Sequence, residues 1–515
     1  MPTTSIQHEP GPLVAPVQII RVGNILDVSP ACEHILGPAL SYSHRQMRAG
    51  MDAVVLGAVD TYDRKLYRVY SNHLLVNQGA LTRITQRLDA EQVPWQYSDQ
   101  RHRTILRPDY DHLARCMPYL VFRVRQAEVL AHLIGYNSGI IVAPTAYGKT
   151  FIMLALTALF PTANIVMASP STSLLNSTYK RILKITGDVG RVGGGHHTTA
   201  RVTLSTYKSL MRAPLDKCDI LLIDEVHGAA ASEISETLSK IRNPVKIFGM
   251  TATPTGRADN AELVIECLVG PVIFEIPYDE VVSAGDISQI RVAMMSLKRE
   301  DCGTQISGAY KMQVAKKRNA YWRNNVRNRL LVEATLHLPS AYGLIEPQTL
   351  ILTKTLEHAL RIQAMLPAFQ VVYGSLSRDQ RERLTTLGLL PDDYRPLTTK
   401  QRELLLDEFE AGTLRNVIAT GCWGEGIDPV HLEVIVNASG EASKILTTQW
   451  GGRASRLTPG GHKKFGLLID CQDEWDPWTL HRAYARRNTY KKHGWEITKI
   501  GKLSDAEKIL EKQSG

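Results

Sequence analysis

The chain has 515 residues, room for about three domains of ordinary size, and at 44% hydrophobic and 22% charged residues its composition excludes wholesale disorder. A net charge of +9 and a pI near 9.1 permit a polyanionic partner without requiring one. Seven scattered cysteines lack zinc-site spacing, no apolar run approaches a membrane span, and the N-terminus lacks a signal-peptide layout; a soluble, cytoplasmic protein without zinc or membrane contacts is expected.

Residues 1–15 are rich in Pro, Thr and Ser and read as disordered. Residues 16–118 mix short apolar runs (Val17–Val22, Ala53–Leu56, Leu66–Tyr70) with polar turns, which predicts a small α+β unit within an N-terminal accessory region, 1–118. From residue 119 compact apolar runs recur at Ile140–Val142, Asn164–Ala168, Val202–Ser205, Ile220–Ile223 and Val245–Gly249, with a helix expected at Lys149–Leu159. That alternation predicts a parallel sheet covered by helices over 119–290. Residues 291–345 break it and read as a basic helical connector. Runs at Leu350–Thr353, Phe369–Tyr373, Asn416–Thr420, Val434–Asn437 and Phe465–Ile469 then predict a second α/β domain over 346–515, with a cleft between the two.

The segment Ala143–Thr150, APTAYGKT, follows a strand and opens a helix. A phosphate loop needs converging backbone N–H groups, a lysine for the β/γ-phosphates and a hydroxyl for Mg2+. Pro144, Thr145, Ala146, Tyr147 and Gly148 supply the backbone, Lys149 the cation and Thr150 the hydroxyl. Ala143 and Ala146 stand where glycines are common. Downstream, Leu221–His227 reads LLIDEVH: an apolar strand ending in two carboxylates at the sheet edge where ligands bind. Asp224 suits Mg2+, and Glu225 suits the water that attacks the γ-phosphate. The two segments together imply an ATP- and Mg2+-dependent hydrolase.

Further segments complete a series. They are FRVRQ at Phe122–Gln126, SPSTSL at Ser169–Leu174, STY at Ser205–Tyr207, TATP at Thr251–Pro254, IATGCWGEGID at Ile418–Asp428 and QWGGRASR at Gln449–Arg456. In this order they resemble the superfamily 2 DExH helicases over roughly residues 119–490, and within them the UvsW-like phage branch related to XPB and RecG. The resemblance implies two tandem RecA-like domains around an ATP cleft. It implies adenine contacts from Arg123 and Gln126, and nucleotide contacts from Gly426 and Asp428. Strand contacts follow for Ser171, Thr206, Tyr207, Thr420 and Gly421, and coupling between ATP and strand for His227, Thr251 and Thr253. Gln449, Arg453 and Arg456 form the catalytic set of the second domain. The two arginines, three apart on one helix face, are expected to reach the γ-phosphate as fingers.

The partner implied is nucleic acid, with branched or single-stranded DNA ahead of RNA, and with replication or recombination proteins as possible associates. A phage-encoded chain would work in its host's cytoplasm. A double-strand translocase that never separates strands is the alternative of a different class. The small N-terminal unit resembles, in size and position, the nucleic-acid-binding N-terminal domain of the UvsW-like branch. Two basic stretches stay open. Lys311–Arg329, with seven Lys/Arg around Tyr321 and Trp322, reads equally as a strand-contacting helix or a solvated connector. Arg482, Arg486 and Arg487 in His481–His493 suit either phosphate contacts or a cap on the domain.

Overall fold

The computed structural model describes residues 15–47, 59–101, 105–230, 234, 236–238, 241, 245–252, 261–302, 313–423, 429–441, 451–457 and 465–501. Near the N-terminus, strands β1 (Val17–Val22) and β2 (Ile25–Ser29) form a hairpin, followed by an antiparallel ribbon of β3 (Ser41–Met47) and β4 (Val59–Lys65). Strands β5 (Tyr67–Tyr70), β6 (His73–Asn77) and β7 (Trp95–Asp99) complete a mixed sheet ordered β5-β6-β2-β1-β7. Alternate residues of its strands, Val17, Ile19, Leu26, Val28, Leu74 and Val76, are buried with Ile84 and Leu88 of helix Leu81–Ala90. The Ala53–Leu56 run lies outside the described residues.

This unit is seated on helix Ala261–Val269 of the next layer. Gln78 Nε2 donates to the Val269 carbonyl (3.3 Å), Arg83 pairs with Glu266, and Asn24 Nδ2 donates to the Leu238 carbonyl at 2.8 Å. Cys267 of that helix is buried in the small unit's own core. At Gly79 the backbones nearly touch: a Cβ there would lie 2.2 Å from the Glu266 oxygen and 2.6 Å from the Gly270 nitrogen. Gly79→Ala is therefore expected to pry the seat open at a cost of about 1–3 kcal/mol, read as a lower melting temperature and faster tryptic release of the unit. An unaltered melting curve would show that the seat has slack.

The second sheet contains β8 (Ser138–Val142), β9 (Ile165–Ser169), β10 (Val189–Gly193), β11 (His196–Thr198), β12 (Val202–Thr206), β13 (Ile220–Asp224), β14 (Lys246–Thr251) and β15 (Val272–Glu275). They are ordered β11-β10-β12-β9-β13-β14-β8-β15, and only β11 runs antiparallel to its neighbour. Both faces are buried. Ile141, Met167, Leu222 and Phe248 pack into one core with helix Lys149–Leu159. Val142, Val166, Ile223 and Ile247 pack into another with Val264 and Leu268. Continuous apolar runs, rather than alternating ones, follow from that double burial.

The third sheet contains β16 (Gln289–Leu297), β17 (Gln348–Leu352), β18 (Gln370–Val372), β19 (Asn416–Ala419), β20 (Leu432–Asn437), β21 (Phe465–Asp473) and β22 (Glu496–Ile500). Its order is β18-β19-β17-β20-β21-β16-β22, with every pair parallel. Two RecA-like parallel sheets thus stand in tandem, as expected, beside the mixed N-terminal sheet.

The structure corrects the expectation of a basic connector over 291–345. β16 lies inside the third sheet, and helix Asn325–Ala341 buries Leu331, Val332 and Leu338 against it. Tyr321 and Trp322 are buried in a π-helical turn, Arg318–Trp322, and so neither stack on a strand nor lie on a solvated face. Arg327 is fully buried, pairs with Asp473 at 2.7 Å and donates to the Ala438 carbonyl. Arg486 is equally buried and pairs with Asp470 (2.7 Å) and Asp473 (3.3 Å). The capping reading holds for Arg486, because its guanidinium is spent inside the domain. No described helix is long and apolar enough to cross a membrane.

Candidate nucleotide site and strand-contact edges

The phosphate loop leaves the carboxyl end of β8, where the Ala143 N–H donates to the Thr251 carbonyl at 2.9 Å. It then turns through two left-handed residues, Ala146 (φ 68°) and Gly148 (φ 102°). The alanine sits where glycine would be free of strain, at a cost of about 1–2 kcal/mol. The FRVRQ segment holds that turn while Arg123 and Gln126 also line the cavity. Arg123 Nη1 donates to the Ala146 and Tyr147 carbonyls (2.8 and 3.2 Å), and Gln126 Nε2 donates to the Tyr147 carbonyl (3.0 Å). Gln126 Oε1 accepts from the Arg123 N–H. The Tyr147 side chain points into the core, its hydroxyl on the Val124 carbonyl, so this residue offers the site only its backbone. Lys149 and Thr150 open an 11-residue helix whose N-terminal N–H groups face the loop. The Lys149 ammonium rests on the Ala143 and Pro144 carbonyls at 3.3 and 3.5 Å.

β13 delivers Asp224 to the same edge, and Glu225 follows in a left-handed conformation (φ 51°), the kind of local strain that collects at functional sites. Asp224 accepts from the Glu225 N–H at 3.0 Å. The Tyr207 hydroxyl donates to the carbonyls of Asp224 and Glu225, so it braces the acid pair instead of facing a strand. His227 Nδ1 meets Thr251 Oγ1 at 3.0 Å and Glu225 at 3.4 Å, which ties the DEVH turn to the end of β14. Burial, then the neighbouring Glu225, push the Asp224 carboxyl well above the usual carboxylate range, against the pull of Lys149. Glu225 Oε2 is buried without a hydrogen bond, and the Thr150 side chain lines the same cavity. Two crowded carboxylates beside a hydroxyl fit a divalent cation, which would reverse that upward push.

The cavity measures about 460 Å3 and has walls from the domains of the second and third sheets: Thr145, Gly148, Lys149, Asp224 and Glu225 on one side, Val430, Arg456 and Leu457 on the other. The approach is close, since a Cβ on Gly452 would lie 2.3 Å from Thr145 Cβ. The two expected fingers do not share a helix face. The helical turn ends at Arg453, and Arg456 lies in the bend beyond it. Arg453 is buried with Nη1 on the Trp423 carbonyl at 2.7 Å, while Arg456 lines the cavity. Burial, then Arg181, lower the Arg456 pKa to about 10, which leaves it charged at neutral pH.

Ser171 caps helix Thr172–Thr186 through the Leu174 N–H, Thr206 ends β12, and Thr420 follows β19 with its N–H on the Val372 carbonyl. They sit at carboxyl edges of their sheets. Gly421 is exposed beside Thr420. Thr253, Gly426, Asp428 and Gln449 lie outside the described residues. Sequence reasoning missed Arg181 and Asp286, which line the nucleotide cavity from a helix and a loop without motif character. It also missed Lys354 and Ser375, which line a second cavity of about 350 Å3 with Thr420. These two follow strands β17 and β18 as Ser171 follows β9, and that placement was a readable signal.

Residues 119–256 match the family described as type III restriction enzyme, res subunit. The chain is 23% identical over 362 residues to the DNA 3'-5' translocase XPB2 of Sulfurisphaera tokodaii, covering 67% of this chain and 80% of that one. It is 24% identical over 363 residues to the putative DNA 3'-5' helicase Rad25 of Haloarcula marismortui, covering 68% of this chain and 52% of that one. In fold it is similar to S. cerevisiae Dbp5 bound to RNA and ADP BeF3, with a TM-score of 0.53 and 16% identity over 78% of this chain and 95% of that one. The matched family and the helicase-named relatives indicate an ATP-dependent helicase activity on nucleic acid, and the tandem RecA-like sheets are the fold that this chain shares with its structural neighbours.

Proposed function

We propose that the chain uses ATP hydrolysis to move along DNA, and to unwind or branch-migrate forks, junctions and D- or R-loops in recombination, repair or replication. The observation that carries this reading is the division of the nucleotide cavity between the two motor domains. A ligand that must touch both walls favours the closed cleft, and its hydrolysis releases it. Lys149 holds the β/γ-phosphates, Thr150 and Asp224 hold Mg2+, Glu225 accepts the proton of the attacking water, and Arg456 neutralises charge developing on the γ-phosphoryl group. Arg123 and Gln126 present the adenine side of the cavity. Ser171, Thr206, Thr420 and Gly421 hold the strand by its phosphates, which position without reading sequence.

DNA is favoured over RNA because the sequence relatives carry DNA in their names. The branched substrate rests on the resemblance of the motif series to the UvsW-like branch. A second reading, translocation on duplex DNA without strand separation, is favoured by the restriction-subunit family and by the relative named a translocase.

The test is ATP hydrolysis and strand displacement on single-stranded DNA, forks, four-way junctions, R-loops and duplex RNA. Forks and junctions are expected to stimulate hydrolysis and to be resolved. Lys149→Ala is expected to lower stimulated hydrolysis by about 10^2-fold or more. Stimulation by RNA alone would overturn the DNA reading, and hydrolysis on duplex DNA without displacement would favour the translocase.

A further inference from the structure

Helix Thr172–Thr186 turns a stripe of side chains toward the nucleotide cavity: Leu174, Ser177, Thr178 and Arg181 all line it. The spacing of three and four residues places them on one face, so Arg181 is built into the wall of the first domain. Arg456 lines the same cavity from the second domain. The walls thus carry four cations, Arg123, Lys149, Arg181 and Arg456, and three carboxylates, Asp224, Glu225 and Asp286. The Asp286 carboxylate already accepts from the Val124 N–H at 2.7 Å, and the other two are the cation pair described above. Arg123 is held on the Ala146 and Tyr147 carbonyls, which leaves Arg181 and Arg456 as the guanidiniums lining the cavity from its two sides.

Two arginines converging from opposite walls repel each other unless an anion lies between or beside them. Glu410, the last residue of helix Thr399–Glu410, supplies one from the second domain. Burial pushes its carboxyl above the usual range, with Asp407 one turn earlier adding to the push and Arg456, Arg181 and Lys180 pulling against it. The charges of Arg181, Glu410 and Arg123 in turn act on the buried Arg456 guanidinium. A triphosphate with Mg2+ brings a denser negative charge to the same guanidiniums, and bidentate contacts to phosphate oxygens outweigh those to one carboxylate.

We propose that Arg181 is a polyphosphate-binding residue contributed by the first domain, and that Glu410 is its exchangeable counter-charge, holding Arg181 and Arg456 across the cleft until the phosphates of ATP replace it. Glu410 is then a positioning residue: it keeps the arginines extended into the cavity without nucleotide, and it opposes nucleotide entry. The proposal rests on the ATPase reading above and adds a residue pair to it.

The test uses the full chain with saturating single-stranded DNA and Mg2+, measuring kcat and KM for ATP, turnover without DNA, and affinity for fluorescent mant-ADP and mant-ATP. Arg181→Ala is expected to raise KM for ATP about tenfold, with a smaller change in kcat, and Arg181→Lys to recover most of the loss. Glu410→Gln is expected to do the opposite, lowering KM about threefold and raising turnover without DNA. The double variant is expected to follow Arg181→Ala. Melting temperatures of all variants separate these effects from misfolding. An Arg181→Ala KM within about twofold of wild type would overturn the proposal, as would a Glu410→Gln KM that rises alongside it. An inactive wild type would instead overturn the ATPase reading itself.

Discussion

Arg456→Ala is expected to cut nucleic-acid-stimulated kcat about 10^3-fold with little change in melting temperature, whereas Arg453→Ala is expected to lower the melting temperature. The two arginines stand three residues apart but have different surroundings. Arg456 lines the nucleotide cavity and remains charged despite its burial. A cation held there strengthens its hold as charge spreads over the γ-phosphoryl oxygens, and such residues are worth about 10^3–10^5 in turnover. Arg453 spends its guanidinium on the carbonyl of Trp423, whose ring packs against Phe409 with centroids 5.1 Å apart. Removing it strands a buried carbonyl, at a cost of about 1–3 kcal/mol. Steady-state hydrolysis and thermal melting of both variants decide the matter. Parallel losses of kcat at equal stability would return Arg453 to the phosphate.

Arg486→Ala is expected to destabilise the second motor domain by about 3–5 kcal/mol, the usual cost of breaking a buried ion pair from one side. Asp470, Asp473, Arg327 and Arg486 have no appreciable exposure. Arg486 bridges both carboxylates and also donates to the Cys471 carbonyl, and Tyr490 donates its hydroxyl to Asp470. Without Arg486, Asp470 keeps only neutral partners such as Tyr490 and Asn437. Urea denaturation of the full chain measures the loss. Arg486→Met combined with Asp470→Asn removes both charges and is expected to regain part of it. A loss under about 1 kcal/mol for the single variant would mean that solvent reaches the cluster.

What could be read from the sequence follows the physics of burial. β8, β9, β12, β13 and β14 are short apolar runs because both faces of their sheet are covered, and they were legible for that reason. β10 and β11 were not, because GRVGGG and HHTT at the sheet margin carry little apolar signal. β16 was hidden beside a basic stretch whose charges seemed to speak for solvent. The buried Arg327 shows why they did not: its partner Asp473 is 146 residues away, and a contact at that separation leaves no local pattern. The candidate site divides in the same way. The phosphate loop and the DEVH turn are contiguous, so residue type and spacing revealed their chemistry. The different surroundings of Arg453 and Arg456 depend on where one helical turn ends. Arg181 lines the cavity from a helix without motif character, and Tyr207, although inside the STY motif, has its hydroxyl on carbonyls of another segment, which its own motif does not reveal.

Gly79 has a mechanical consequence. With the small N-terminal unit clamped to helix Ala261–Val269 through backbone contact, the molecule is expected to move as two parts rather than three. Any load borne by that unit rides on the first motor body, and it advances or recoils only when that body does. Travel of the part built on the third sheet is then expected to change the gap. A pair of dyes on the small unit and the first body would keep a fixed separation through the cycle, and a dye on the second body would report the whole stroke.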